Sequence, residues 1–338
     1  MFIIREALPG DLDDVLVVAE HLNSVNLPAD RDAITEILDV SRRSFAGDLA
    51  VFRREYLFVL EDQRAGRVIG TSMIHAQHGH RGKPHIYFDV YDEERYSDTL
   101  DRHFVHRVLR LGFNYNGPTE IGGLSLLPEY RGHPKKLGRA LSYLRFLFIA
   151  ARREHFRDDV ISELLPPLEP DGTSRLWEAL GRRFTGLSYQ EADRTSQANK
   201  EFIRSLFPGS PIYTSLLSEE AREIIGKVGP ATRGVEKMLR AVGFRFANRI
   251  DPFDGGPHFV ARTDEVKLVR AARKLPVADG EPGKNAARAL VAIERPEAPH
   301  LLATVTRHRL EDDRMYVPGA VREALGNPGD LWVTPLSA

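Results

Sequence analysis

A strand, a basic loop, a long helix and a second strand follow one another in the middle of this chain. Residues 123–127 form an apolar run that predicts a strand, and residues 139–155 carry apolar side chains at helical spacing. A further apolar run at residues 160–165 predicts the second strand. Strands that alternate with helices are typical of layered α/β proteins. The chain is therefore predicted to have an α/β (α+β) fold.

The composition excludes several classes of protein. The 338 residues include 47 Lys and Arg against 48 Asp and Glu, so the chain lacks the excess of positive charge of a general nucleic-acid binder. It contains no cysteine, which excludes disulfides, thiolate metal sites and a cysteine nucleophile. No apolar run approaches the roughly 20 residues of a membrane span, and the first residues lack the pattern of a signal peptide. We expect a cytoplasmic protein without a membrane or nucleic-acid partner.

Two stretches of the chain share one local pattern. Residues 175–184 and 236–246 each have the pattern of a helix that ends at a glycine, Gly181 or Gly243, and passes into an aromatic strand. This repetition favours an internal duplication of one α/β unit, although two unrelated helix ends would give the same pattern. We predict one lobe at residues 1–175, a second lobe at 176–270, and a linker with a small β-rich extension at 271–338.

Weaker patterns predict further elements. The segment at residues 76–116 is polar and rich in His, Tyr and Arg, and we expect a strand at 85–90 and a helix at 100–111 within it. In the extension, residues 274–285 have the composition of a linker. Short β-like runs follow the linker at 290–293, 301–305 and 331–334.

The loop between the first strand and the long helix has the residues of an anion site. It opens onto a helix N-terminus and combines glycines with cations, namely Arg131, Gly132, Lys135, Lys136, Gly138 and Arg139. Free N–H groups and the helix dipole attract a pyrophosphate at such a place. Acetyltransferase-like folds bind coenzyme A in this way with the pattern Arg-x-x-Gly-x-Gly; here Gly138 stands for the last glycine, Lys136 replaces the preceding one, and the loop is longer. A solvated basic turn is the alternative interpretation, and no Walker A sequence occurs.

Four histidines lie close together in the polar segment, at His75, His78, His80 and His85. No acidic residue lies between them, and their spacing fits no defined set of metal ligands. We therefore predict no metal site and expect these side chains to line a polar, partly exposed loop.

A dense segment at residues 251–258 reads Asp-Pro-Phe-Asp-Gly-Gly-Pro-His. Because a guanidinium pairs with a carboxylate through two hydrogen bonds, Asp254 and its neighbour His258 are candidate ligands of a cationic substrate. A turn held by Asx-type hydrogen bonds is the alternative interpretation. Tyr213 supplies a phenol that can serve acid–base chemistry or simply pack.

Together these motifs resemble the arginine N-succinyltransferase family of the bacterial arginine-succinylation route. The similar stretches keep their order over about residues 1–270, at 56–62, 124–148, 180–184, 207–214, 225–228, 243–245 and 253–257. The resemblance implies two acetyltransferase-like (GNAT-like) lobes in tandem, succinyl-CoA as a co-substrate, and the α-amino group of arginine as the acceptor. It also implies that the family's succinyl-CoA-binding leucine is Leu124. Backbone N–H groups between Leu124 and Leu126 would then polarise the thioester carbonyl, and the amine would attack directly, because no cysteine can carry the acyl group.

One departure from the family concerns its proton donor. The family's histidine lies in a Val-His-Pro segment, which aligns with Val228, Gly229 and Pro230 here. Glycine has no side-chain proton to donate, so three hypotheses stay open. In the first, another group such as Tyr213 replaces the histidine. In the second, the acyl donor or the amine acceptor differs from those of the family. In the third, the chain is a catalytically weakened partner subunit. We expect a homo-oligomer or a pair with a paralogous subunit.

Overall fold

The computed structural model describes residues 1–22, 27–284 and 286–336. None of the helices in these ranges has the length and apolar character needed to cross a bilayer. In chain order the strands are β1 Phe2–Glu6, β2 Glu55–Asp62, β3 Arg67–His75, β4 His85–Ser97, β5 Arg102–Asn114, β6 Thr119–Leu126, β7 Asp159–Glu163, β8 Ile212–Tyr213, β9 Arg245–Ile250, β10 Pro257–Arg262, β11 Arg273–Pro276, β12 Ala287–Glu294, β13 Leu301–Glu311, β14 Arg314–Tyr316 and β15 Asp330–Pro335. The α-helices are α1 Leu12–Ala19, α2 Arg31–Ala46, α3 Leu137–Ala151, α4 Arg182–Thr185, α5 Tyr189–Ala198, α6 Glu201–Leu206, α7 Glu219–Ile224, α8 Arg233–Val242, α9 Lys267–Ala271 and α10 Gly319–Ala324.

The chain divides into two compact units that interleave along the sequence. Unit 1 comprises Met1–Gln77, Thr119–Val160 and Arg262–Ala338, and unit 2 comprises His78–Pro118 and Ile161–Ala261. The sequence instead predicted consecutive blocks at 1–175, 176–270 and 271–338. The difference has a physical reason, because β1 pairs with β2 on one side and with β13 on the other. The predicted extension thus completes the sheet of the N-terminal unit.

Unit 1 is built on an antiparallel sheet in the order β11-β15-β12-β13-β1-β2-β3-β6. Residues 56–60 of β2 are buried without interruption, as in a strand that is covered on both faces. The ring of Phe148 on α3 lies 4.8 Å from the ring of Tyr56 and 5.2 Å from that of Phe58, centroid to centroid. These edge-on aromatic contacts hold α3 against β2 and so fix the position of its N-terminus.

Strand β6 carries a bulge next to the leucine that is predicted to bind the acyl-CoA. The register of β6 against β3 shifts within residues 122–125, and Gly123 has a φ of +55°. A Cβ at Gly123 would lie 2.7 Å from Cγ of Met73, so the site accepts only glycine without rearrangement. A bulge bends a strand and redirects the side chains that follow it. Leu124 and Leu126, both half-buried, follow this one.

Unit 2 is built on the hairpin of β4 and β5, which pair along all 13 residues of each strand. Strand β9 pairs with β4, β10 pairs with β9, and β8 pairs with β5 at Val108 and Leu109. In the core of this unit, the buried Trp177 stacks on Phe253 with ring centroids 5.1 Å apart. The indole N–H of Trp177 donates to the carbonyl of Leu187 at 2.9 Å. The stack anchors the loop that carries Asp254.

Most predicted elements are confirmed. Strands β6, β7, β12, β13 and β15 and helix α3 lie where the apolar patterns indicated. The predicted strand at 85–90 is the first half of β4. The predicted linker at 274–285 begins inside β11, and its last residue, Asn285, lies outside the described residues.

Two predictions of local structure are wrong. Residues 100–111 were expected to be helical, but residues 102–111 belong to β5, because pairing with β4 along the whole hairpin outweighs a helix-like spacing of apolar residues. The first repeated stretch does not pass into a strand either; a π-helical turn, Trp177–Gly181, continues as α4 up to Gly186. The second stretch is confirmed as α8, Gly243 and β9. The internal duplication remains a prediction.

Candidate active site

The N-terminus of α3 has the form of an anion site. No side chain caps this end of the helix, and its N-cap residue, Lys136, has the left-handed φ and ψ of 58° and 47°. Glycine adopts this conformation more easily than lysine. Lys136, which replaces a glycine of the Arg-x-x-Gly-x-Gly pattern, therefore has a backbone conformation typical of glycine. The four cations Arg131, Lys135, Lys136 and Arg139 are all exposed around it.

Two glycines leave space for a ligand at the same loop. A Cβ built on Gly132 or Gly138 would meet no atom within 4 Å, so packing does not explain either glycine. Gly132 also has a φ of +74°. The guanidinium of Arg131 donates to the carbonyl of Leu126 at 2.9 Å, which fixes this cation at the end of β6. A helix N-terminus without a side-chain cap, open space and exposed cations together favour binding of a phosphate group.

The loop after β9 holds two carboxylates, the half-buried Asp251 and the buried Asp254. Oδ1 of Asp251 accepts the N–H of Phe253 at 2.7 Å, and Oδ1 of Asp254 accepts the N–H of Gly256 at 2.7 Å. These are the Asx-type bonds of the alternative interpretation, yet each carboxylate keeps a second oxygen. Burial, followed by the Asp251 carboxylate, raises the pKa of Asp254 well above its usual range. Burial, followed by the Glu163 carboxylate, raises the pKa of Asp251 to about 6. A bound cation would relieve both penalties.

Three histidines of unit 2 converge on the carboxylate of Glu163. Its Oε1 lies 3.1 Å from Nε2 of His85, 3.4 Å from Nε2 of His258 and 4.0 Å from Nε2 of His78. Burial opposes ionisation of the Glu163 carboxyl, but His258, His85 and His78 together hold its pKa well below the usual range. Burial, followed by the proximity of His78, lowers the pKa of His85 to about 3. The cluster combines neutral imidazole with an ionised carboxylate.

Tyr213 lies on β8, half-buried at the side of the long hairpin. Its hydroxyl donates to Oε2 of Glu93 and accepts a hydrogen bond from Arg95 at 3.2 Å. The hydroxyl is thus already held between a carboxylate and a guanidinium. Its role as proton donor stays a prediction.

The segment with Gly229 is packed tightly against the residues that follow β7. The N–H of Gly229 donates to the carbonyl of Leu165 at 2.8 Å. Beside it, Val228 helps to line a pocket of about 330 Å³, together with the apolar rings of Phe246 and Phe259. The pocket is also lined by Lys227, Arg233, Lys237 and Arg240, and by Glu236, whose carboxylate pairs with Arg240 at 2.8 Å. The remaining excess of positive charge suits an anionic group.

Replacing Gly229 by alanine is expected to lower the free energy of unfolding by about 1–3 kcal/mol. An ideal Cβ at Gly229 would lie 2.4 Å from the carbonyl oxygen of Pro166 and 2.9 Å from that of Leu165, and backbone atoms cannot rotate away. The control is Gly234→Ala on α8, where no atom lies within 4 Å of the added Cβ and a gain of about 0.5–1 kcal/mol is expected. Urea unfolding measures both. An unchanged midpoint for Gly229→Ala would show that the segment yields, and that a histidine can be restored there.

Comparison with known proteins identifies the family. A family model described as "Arginine N-succinyltransferase beta subunit" matches residues 2–268. The chain belongs to this family. It is 32% identical over 329 residues to the arginine N-succinyltransferase of an Escherichia coli strain, covering 96% of this chain and 94% of that protein. It is 34% identical over 308 residues to the arginine N-succinyltransferase subunit beta of Pseudomonas aeruginosa, covering 90% of this chain and 89% of that one.

The fold agrees with this membership. The solved structure of arginine/ornithine succinyltransferase subunit AI from Pseudomonas aeruginosa matches with a TM-score of 0.85 at 27% identity, covering 100% of this chain and 99% of that chain. The predicted α/β, acetyltransferase-like fold is confirmed, as is membership of an acyltransferase family.

Sequence reasoning missed two residues of the candidate site. Glu163 is separated from His85 by 78 positions, so no local motif connects them. Its only signal was its charge inside the otherwise apolar strand predicted at 160–165, which in the structure ends at Glu163. Asp251 stood in the segment that was singled out, but only its neighbour Asp254 was chosen.

Proposed function

We propose that this chain transfers the succinyl group of succinyl-CoA to the α-amino group of arginine, a step of arginine catabolism. Membership of the arginine N-succinyltransferase family over residues 2–268 carries the proposal. The basic, uncapped N-terminus of α3 supports the use of an acyl-CoA, because it offers backbone N–H groups and cations to a pyrophosphate.

The transfer is a direct attack. The neutral amine nitrogen of the acceptor forms a C–N bond with the thioester carbonyl carbon and the C–S bond breaks. The proton that the nitrogen loses passes to solvent, and the CoA thiolate takes up one proton, so the products are the amide and free CoA. No acyl-cysteine can form, because the sequence contains no cysteine. Backbone N–H groups near Leu124 and Leu126 would stabilise the negative charge on the carbonyl oxygen, and the bulge at Gly123 supports this role because it interrupts regular pairing there.

The leaving thiolate needs a proton, and Gly229 cannot give one. Tyr213 is the candidate donor from this chain, with solvent water as the other source. Acid–base assistance is worth about 10²–10⁴ in rate, so transfer proceeds more slowly without it but is not abolished. Binding and orientation of the two substrates supply the rest of the acceleration.

For the acceptor, we assign the guanidinium to Asp254 and place His258 beside it. The support is the electrostatics of the loop. Asp251 and Asp254 lie near each other and both have raised pKa values. The charge of Lys200 lowers the pKa of Asp251, but less than burial and Glu163 raise it. A guanidinium can make a bidentate pair with such a carboxylate.

A turnover assay tests the function. Release of free CoA from succinyl-CoA in the presence of arginine is expected, with acetyl-CoA and lysine as control substrates. Binding of CoA without turnover of any acyl-CoA and amine pair would contradict the enzymatic proposal and favour the weakened partner subunit. Turnover with another donor or amine only would favour the related N-acyltransferase, which the absent histidine at position 229 leaves open.

We further propose that the chain assembles with a second copy of itself through the tip of the β4–β5 hairpin. Two of the similar proteins carry the word subunit in their names. The tip exposes at least half of each of four large apolar side chains, Tyr96, Leu100, Phe104 and Val105. Strand β5 pairs with β8 at Val108 and Leu109. Among the residues that the structure describes, no other strand pairs with residues 102–107 on that side of β5, so a two-fold copy can extend this edge.

Changing Leu100 and Phe104 together to serine is expected to shift the chain from dimer to monomer in sedimentation velocity. The apolar area that drives association is then lost. Leu216→Ser is the matched control, since Leu216 is 82% exposed but lies outside the hairpin. A wild-type chain that sediments as a monomer at every concentration would contradict the proposal.

A further inference from the structure

We propose that His78, His85 and Glu163 form a binding site for a divalent transition-metal ion such as Zn²⁺. One donor atom from each of the three residues lies within 4.8 Å of the other two. Oε1 of Glu163 is 3.1 Å from Nε2 of His85 and 4.0 Å from Nε2 of His78. Ligands bound tetrahedrally at about 2.0–2.2 Å from zinc stand roughly 3.3 Å apart, so small side-chain rotations bring these three onto one ion.

The backbone holds the two histidines in place. The N–H of His78 donates to the carbonyl of Pro118 at 2.7 Å. A Cβ on Gly117 would lie 1.8 Å from the carbonyl oxygen of His78, and a Cβ on Gly79 would lie 2.6 Å from the nitrogen of His85. Both glycines are therefore needed for close approach of backbone to these residues. A site built on such a rigid frame binds a ligand without a large loss of conformational entropy.

The donor set selects the kind of ion. Two imidazole nitrogens and one carboxylate oxygen suit Zn²⁺, Co²⁺ and Ni²⁺, whereas Mg²⁺ and Ca²⁺ prefer sites made of oxygen alone. Three protein ligands leave a fourth position for water or another donor. Nε2 of His258 lies 3.4 Å from Oε1 of Glu163, so this imidazole would orient the carboxylate from outside the three ligands.

The inference of this metal site rests on the geometry of the three side chains and does not depend on the proposed acyl transfer. The sequence argued against a metal because no acidic residue lies between the histidines, and the structure supplies the acid from β7 instead. A bound ion would fasten the segment that precedes β4 to the end of β7 within unit 2. Its first consequence is therefore expected in stability and metal content rather than in turnover.

The test uses the full chain without a histidine tag, stripped with a chelator and dialysed. Addition of Zn²⁺ followed by gel filtration should give one zinc per chain by mass spectrometry of the metal. Zn²⁺ at about 100 times the dissociation constant should also raise the melting temperature by about 3 °C or more. Co²⁺ should produce the visible absorption of a four-coordinate site.

Three variants separate this site from adventitious surface binding. Glu163→Gln keeps the shape of the side chain, while His78→Asn and His85→Ala each remove one nitrogen ligand. Each is expected to lower zinc affinity at least 100-fold, and Glu163→Gln remains informative if His85→Ala fails to fold. His103→Ala is the control, because His103 is exposed on the same hairpin beside Glu94. Failure of the wild type to bind zinc, or binding by Glu163→Gln as tight as that of His103→Ala, would overturn the proposal.

Discussion

A chain carrying both Arg131→Gln and Lys136→Gln is expected to bind CoA about 100-fold more weakly than the wild type. Each change removes a charge-assisted contact to a phosphate, and a loss of about 1.4 kcal/mol per contact is a factor of ten each. Both side chains are exposed and belong to the loop before α3, so the free energy of unfolding should change by less than about 0.5 kcal/mol. Isothermal titration with CoA measures the first effect, and urea unfolding measures the second.

The double change Lys267→Gln and Lys274→Gln provides the matched control. It removes the same number of positive charges from exposed positions of unit 1 that do not belong to the loop. CoA affinity should stay within about twofold, because these side chains make no direct contact with the phosphates in the proposed site and salt screens exposed charges over roughly 10 Å. If both double variants weaken binding equally, net charge rather than the helix N-terminus attracts the ligand, and the assignment of the loop is wrong.

Local sequence patterns predicted the strand, loop and helix at the centre of the fold, because the signals for these elements lie in neighbouring residues. The strand, basic loop and helix around Leu124 and Lys136 follow from apolar periodicity and from glycine placement, and all three elements occur in the predicted order. The error at residues 100–111 arose where local preference is weak. Their apolar side chains fit either a helix or a strand, and only the partner strand β4 decides between the two.

Features that depend on long-range pairing were beyond the sequence. The units interleave because β13 pairs with β1, although about 300 positions separate the two strands. The contact between His300 and the buried Glu6 joins equally distant parts of the sequence. The convergence of His85, His258 and Glu163 is of the same kind, since these three residues come from three different strands. Residue types suggested candidate chemistry, but only the sheet determines which of these side chains lie together.

Replacing Asp254 by asparagine is expected to raise KM for arginine by about 10- to 100-fold, with KM for the acyl-CoA unchanged. The loss is that of one charged hydrogen-bond partner to the guanidinium, worth about 1.5–3 kcal/mol. Asparagine keeps an oxygen that can accept the N–H of Gly256, as Asp254 does at 2.7 Å. Asp171→Asn, at an exposed position of the same unit, is the control.

The pH dependence distinguishes a binding role for Asp254 from a structural one. Its folded-state pKa lies well above its usual value because of burial and then of Asp251. Ionisation therefore destabilises the folded chain, and this penalty grows as the pH rises from the unfolded pKa through the folded one. Asp254→Asn should thus melt higher than the wild type at pH 8, with the difference shrinking toward pH 4.

Arginine binding to the wild type should strengthen with rising pH, whereas binding to the variant should not. A variant that is less stable at pH 8 and keeps its KM for arginine would show that Asp254 serves only the turn.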